Sequence, residues 1–272
     1  MDSKKANSLH GRFLLQMSMH YIKTSIPRLL SKVRNVEGWL SDHEALFLYH
    51  AARMVQAPGE IVEIGSWKGK STVCLASGLS ASGKSAFVWA VDPHEGILVA
   101  GKKKGVSTLS IFNRNIRGAG LTRFVKPVVS TSQRAVRHWS KPISFLFIDG
   151  LHDYIHTKQD YLLWKKYVVS GGVIAFHDGF CGIPGVWKAI DEQFFQSNLV
   201  DIGTVSSVLY GITGIPNIFE KMRVKSKITF IRFAQHIHAL SWTPWWVKRL
   251  FIHTFIRMLL VTPYTIAVYM NK

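Results

Sequence analysis

The chain has 272 residues, 47% hydrophobic, 12% aromatic and only 18% charged, which excludes disorder and low-complexity or collagen-like architectures as its main description. At this length a sizeable core forms without metal or disulfide staples. The 34 Lys and Arg against 16 Asp and Glu give a formal net charge of +18. That excess sits at the ends, since residues 1–40 hold seven basic and two acidic side chains and residues 221–272 hold nine and none. Such ends suit an anionic partner, a membrane surface or nucleic acid, around a nearly balanced middle.

Cys74 and Cys181 lie far apart without metal-ligand spacing, which fits a reducing compartment better than a disulfide framework. Phe13-Leu14-Leu15-Gln16-Met17 is too short for a signal-peptide core, and no run of about 18 uncharged apolar residues offers a spanning helix. The expected location is cytoplasmic, peripheral on the inner face of the membrane.

Residues 1–40 read as a basic N-terminal helical extension ending near Gly38. Ser41 with Glu44 three residues on is a capping box, opening a helix that runs to Pro58-Gly59. Strands are expected at 61–65, 86–92, 123–129, 144–149 and 172–177, separated by helical stretches. Near-continuous apolar strands between helices indicate a parallel sheet covered on both faces. After a helix through Trp187, Ile190 and Phe194, runs 200–205 and 208–212 read as a hairpin at the sheet's end. The expected architecture is a doubly wound, mostly parallel Rossmann-like α/β sheet over residues 41–215, with ligands beyond the carboxyl ends of the strands. Residues 216–272 then form a basic amphipathic C-terminal helical region.

Glycines at 65 and 69 let the first strand turn tightly into a helix whose N–H groups face a ligand. Glu63 is an acid inside an apolar strand, and Asp92 closes the second strand where a ribose would present two hydroxyls. Gly78 to Ser85 matches the spacing of a phosphate loop, but a helix precedes it and a strand follows, so it reads as a turn. Asp149, His177 and Asp178 end the fourth and fifth strands at the same sheet edge. They either form a facial site for Mg2+ or another divalent cation, or hydrogen-bond among themselves to cap the loops. His152 lies near enough to Asp149 to accept a proton from a substrate oxygen. Lys102-Lys103-Lys104-Gly105 reads as a solvated loop or a guide for an anionic acceptor. His94 borders a ligand or merely ends its strand, and His138 and His156 show no partner.

Four segments occur in order: Glu63-Ile64-Gly65-Ser66…Gly69…Ser71-Thr72, Val91-Asp92-Pro93-His94, Phe147-Ile148-Asp149-Gly150-x-His152-x-Tyr154 and Gly171 to Asp178. Together they resemble the class I S-adenosylmethionine-dependent methyltransferases. The nearer likeness is to the branch of cephalosporin-hydroxylase-like proteins and macrolide and rhamnosyl sugar O-methyltransferases. The resemblance implies that Gly65, Ser66 and Gly69 line the methionine and ribose portion of the cofactor, that Glu63 supports that loop and that Asp92 binds the ribose hydroxyls. It puts Ser130 beside the adenine, gives His152 and Asp149 the catalytic roles, and makes Asp149, His177 and Asp178 the metal set, with His177 standing where relatives carry a carboxylate.

The implied activity is O-methylation of a sugar, glycolipid or related small molecule. RNA methylation and a non-catalytic membrane scaffold are the alternatives, and nucleic acid is the less expected partner. From Trp245 to Leu260, Arg249, His253 and Arg257 make one polar stripe on an otherwise apolar helix. That helix lies in an anionic membrane interface, beside Trp242, Trp245 and Trp246, or packs on the central domain or on a homo-oligomer partner. The stretch 227–240 is similar.

Overall fold

The computed structural model describes residues 29–95, 97–99, 102–104, 107–180 and 182–239. Cys181, Gly105 and the stripe of Arg249, His253 and Arg257 with its three tryptophans lie outside the described residues.

Continuous apolar runs become buried strands. β1 (Glu60–Ile64), β2 (Val88–Asp92), β5 (Val125–Val129), β6 (Ile143–Ile148) and β7 (Val168–Phe176) are mutually parallel. β8 (Leu199–Val205) and β9 (Val208–Thr213) form the expected antiparallel hairpin, and β9 also pairs antiparallel with β7. The seven-stranded order is β5-β2-β1-β6-β7-β9-β8. The chain builds outward from β1 to β2 and β5, then returns to lay β6 on the other side of β1. That reversal opens a crevice at the carboxyl ends of β1 and β6. Every residue of β6 is buried, and alternate side chains serve opposite faces. Phe145 and Phe147 join the core under α1 (Asp42–Met54) and α2 (Lys70–Ser82), while Leu146 and Ile148 pack with Tyr161, Trp164 and Phe176.

The Ser41–Glu44 capping box is present in both directions and starts α1. Val55 caps the helix in an extended conformation, three residues before Pro58. Gly78 lies inside α2, where a Cβ would meet the Tyr49 carbonyl oxygen at 2.1 Å. Its glycine serves close helix packing, and Gly83 at φ 72° ends the helix. The phosphate-loop spacing is therefore a helix end and a turn. Lys102–Lys104 is not a loop. It forms β4, paired antiparallel with β3 (Ile97–Val99).

The flanks join the core where they are described. Residues 29–34 are helical, and Leu29, Val33 and Val36 are buried in the cluster that holds α1 and α2. The 22-residue helix Ile218–Ala239 buries Val224, Ile228, Ile231 and Ala234 beside β8. The sequence-based boundaries at 40 and 216 mark changes of charge, and the packing runs through both. For residues 227–239, whose composition suits a membrane interface, the inner face packs on protein instead, because its apolar residues recur at helical spacing toward β8.

Candidate active site

β1 delivers the chain into a glycine-dependent turn. Gly65 has φ 84°, and a Cβ there would lie 2.0 Å from the Asp149 carbonyl oxygen, so only glycine lets the ends of β1 and β6 meet. Trp67 takes φ 43°, a left-handed conformation that costs a non-glycine residue about 1–2 kcal/mol. The surroundings hold it there. The amides of Ser66 and Trp67 donate to Asp92 Oδ2 at 2.9 and 2.7 Å, and the His94 amide donates to Oδ1 at 2.6 Å. The Trp67 ring stacks on Trp39 with centroids 4.7 Å apart. Gly69 at φ 88° caps α2, where a Cβ would press on Phe112 at 3.0 Å.

Asp92 is thus a brace for the loop as well as a candidate ribose ligand. A carboxylate offers roughly four lone-pair positions, three of which the loop takes. Glu63 is fully buried below and accepts from the Thr72 hydroxyl. Burial pushes its carboxyl up to about 8 against the lowering effect of the Ser71 and Thr72 hydroxyls. Glu63 supports the first turn of α2, and through it the loop. His94 is buried, accepts or donates at Thr108 Oγ1 (2.9 Å) and packs on Phe112. It ends its strand in the core, and burial lowers its pKa.

These elements line one side of a cavity of about 950 Å3 whose wall includes Gly65, Ser66, Asp92, Asp149, His152, His177 and Asp178. Ser130 stands apart from that wall. Its hydroxyl donates to the Thr131 carbonyl, and the wall there is Thr131, Ser132 and Gln133. The expected position is displaced because β5 ends at Val129 and the chain must turn before it faces the cavity.

Across the cavity the four expected groups converge. Asp149 Oδ1 lies 3.2 Å from His152 Nε2 and 3.2 Å from His177 Nδ1. Asp178 Oδ2 lies 3.7 and 3.4 Å from the same two nitrogens. Glu44, recognisable in the sequence only as a capping residue, completes the group with Oε2 3.8 Å from His177 Nε2. The His177 ring nitrogens sit among three carboxylates without forming an aligned hydrogen bond. Burial opposes the charge on the ring, yet Asp149, Asp178 and Glu44 outweigh it and push His177 up to about 12. The hydrogen bond from Asp149 raises His152 as well, partly opposed by burial. Asp149, His152 and His177 offer ligand atoms all within 4.8 Å of one another.

Other wall residues carried no chemical signal in the sequence. Asp160 is buried in the cavity wall and pushed up to about 6 by that burial. His156, also on the wall, pairs with Asp153, the N-cap of the helix Tyr154–Trp164, at 2.6 Å. Trp39 and Trp67 were invisible as a pair because 28 residues separate them. An exposed tryptophan just before a capping box was the available clue.

A family model described as a methyltransferase domain matches residues 62–179, which span β1 through β7 and every residue of the polar cluster except Glu44. This segment is a methyltransferase domain. Solved structures share the fold. The O-methyltransferase NovP matches with TM-score 0.53 and 18% identity over 64% of this chain and 81% of its own. An O-methyltransferase from Bacillus cereus, in complex with SAH, matches with TM-score 0.50 and 17% identity over 71% and 96%. The calicheamicin methyltransferase CalS11 matches with TM-score 0.51 and 14% identity over 78% and 94%.

Proposed function

We propose that the methyltransferase domain uses S-adenosylmethionine to methylate a hydroxyl of a sugar, glycolipid or related small molecule. The observation that carries this reading is the facing of two unlike walls across one cavity. On one side Gly65, Ser66 and Trp67 line the wall with Asp92, Gly69 lying off it as the cap of α2 against Phe112, and on the other His152 stands between Asp149 and Asp178. NovP and the Bacillus cereus protein are O-methyltransferases, which supports oxygen as the methyl acceptor, and the complex of the latter with SAH supports the cofactor.

In this mechanism the Gly65–Gly69 turn and Asp92 hold the adenosyl and methionine portions. The acceptor hydroxyl lies against His152. The sulfonium, when bound, would supply the methyl group to the acceptor oxygen in line and leave as a neutral thioether. The hydroxyl proton passes to Nδ1 of His152, because Nε2 is engaged with Asp149 Oδ1 at 3.2 Å, and that bond raises the ring's affinity for the incoming proton. Holding the two reactants in line supplies most of the rate, because it replaces an unfavourable encounter with a fixed geometry.

The cluster also fits a divalent cation. Asp149, His152 and His177 would hold it, with the proton of His177 displaced and Asp178 beside them. Two imidazoles and a carboxylate suit a zinc- or manganese-class ion better than Mg2+, which prefers oxygen ligands. Such an ion, when bound, would lower the pKa of a coordinated hydroxyl. The His177 imidazolium otherwise supplies the positive charge at that position.

The test is calorimetry with S-adenosylmethionine and S-adenosylhomocysteine. Binding in the low-to-mid micromolar range, on the order of 7–8 kcal/mol, is expected. Absence of heat with either ligand would remove the cofactor assignment and favour a non-catalytic scaffold. Retention of RNA on a filter in a salt-sensitive manner would instead favour a nucleic-acid acceptor.

A further inference from the structure

We infer that the domain docks on an anionic lipid bilayer through the outward face of the helix Ile218–Ala239, so that the β8 edge of the sheet faces the membrane. The inner face of this helix is accounted for by Val224, Ile228, Ile231 and Ala234, all buried beside β8. The opposite face is apolar in its first two turns, where solvent would predict polar residues, and exposed Ser226 and Thr229 follow on the same side. Ile215, in the turn leading to the helix, is 92% exposed, and Ile218, Phe219 and Met222 are 64%, 79% and 65% exposed. Isolated exposed apolar residues need no explanation, but four within eight positions form a contiguous patch.

Charge selects the occupant. The helix carries Lys221, Arg223, Lys225, Lys227 and Arg232 against one acid, Glu220. Glu220 is engaged with the Asn217 amide in the helix cap, while Lys227 and Arg232 are tied to Asp201 and Asp191. Lys221 and Lys225 are exposed, sit beside the apolar patch and form no ion pair among the described residues. An apolar stripe flanked by free lysines matches a leaflet with acyl chains below and anionic headgroups around. A second copy of this chain would have to place the same cations against themselves. The sequence beyond the helix continues the pattern: residues 240–272 hold four Lys and Arg, three tryptophans and no acid.

Geometry adds a constraint on how the enzyme would sit. A 22-residue helix is about 33 Å long. Its exposed apolar residues Ile218, Phe219 and Met222 occupy the first two turns, so that end of the helix would enter the headgroup region. β8 is an edge strand, so the strands would run along the membrane and the cavity at their carboxyl ends would open sideways, along the surface. This inference is independent of the methyl acceptor.

The test uses the full chain and flotation with vesicles of phosphatidylcholine alone or with 30% phosphatidylglycerol. Wild-type protein is expected to float more strongly with the anionic vesicles than with the neutral ones, and raised salt should weaken the anionic binding toward the neutral level without abolishing it, since screening leaves apolar burial intact. Phe219→Ser with Met222→Ser should weaken binding about tenfold or more, and Lys221→Glu with Lys225→Glu should do so at low salt. Both variants should bind S-adenosylhomocysteine as wild type does, which separates loss of docking from loss of fold. Wild-type failure to float, or equal flotation of both variants, would overturn the inference. So would a concentration-dependent dimer that the serine variant dissociates while vesicle binding is unchanged.

Discussion

Ser207, at the turn of the β8–β9 hairpin, donates its amide at 3.0 Å and its hydroxyl at 2.7 Å to the Glu44 carboxylate in the first turn of α1. The other oxygen of Glu44 receives the Ser41 amide and hydroxyl at 2.8 Å and faces His177. One buried carboxylate therefore joins the start of α1, the far hairpin and the polar cluster. Burial opposes its charge, but His177, Ser41 and Ser207 outweigh that and hold it near 2. A carboxylate with a depressed pKa contributes stability that is present above its unfolded value near 4.5 and lost as pH falls toward 2. Glu44→Gln should cost about 2–4 kcal/mol at neutral pH, and its stability should fall less steeply between pH 4.5 and 2. Urea unfolding across that range reads both effects.

Glu63 has the opposite sign. Its pKa rises from an ordinary 4.5 to about 8 on folding because the side chain is fully buried. The unfolded chain loses this proton first, so stability is fully present below pH 4.5 and is lost progressively up to about pH 8. Glu63→Gln can keep the neutral form's hydrogen bond with Thr72 and cannot ionise. The variant should therefore equal wild type near pH 4.5 and exceed it by up to roughly 3–5 kcal/mol at pH 8. Equal melting curves at pH 5 and 8 for the wild-type protein would remove the buried-acid account.

Asp92→Ala should act on both the loop and the ligand. It removes the acceptor for three amides, including that of Trp67 in its left-handed conformation. Affinity for S-adenosylhomocysteine should fall at least about tenfold, and the melting temperature should drop by several degrees in the absence of ligand. A pure ribose ligand would leave the unliganded protein's melting temperature unchanged, so thermal melting separates the two roles.

The strands and the residues that end them were legible because a parallel sheet needs continuous apolar runs and delivers ionisable groups to one edge. Gly65, Asp92, Asp149, His177 and Asp178 accordingly lie where their motifs suggest. What escaped were relationships between distant segments. Glu44 has a complete local explanation as a capping residue, and its contacts with His177 and Ser207 depend on how the hairpin closes over α1. Ser130 follows β5 directly, and its three successors, Thr131, Ser132 and Gln133, are the residues that reach the cavity wall. Trp67 occupies a conformation that local preference assigns to glycine, and it is held there by tertiary hydrogen bonds to Asp92.

The polar cluster makes a prediction about turnover. His152 hydrogen-bonds to Asp149 and faces Asp178, and the Asp149 bond raises its pKa above the ordinary value near 6.5. A general base must be unprotonated to work, so the acidic limb of the kcat profile should lie above that value. His152→Ala should lower kcat about a hundredfold or more and abolish that limb. Cofactor affinity should be nearly unchanged, because no bond joins His152 to the Gly65–Gly69 turn or to Asp92 among the described residues. Equal loss of cofactor binding would make His152 a structural residue. Chelation then decides what supplies the neighbouring charge. If a divalent ion sits among Asp149, His152, His177 and Asp178, chelator should abolish turnover and Asp149→Asn should mimic it. Full activity in chelator would leave the His177 imidazolium, held charged by Glu44, Asp149 and Asp178, as the positive group beside the reacting oxygen.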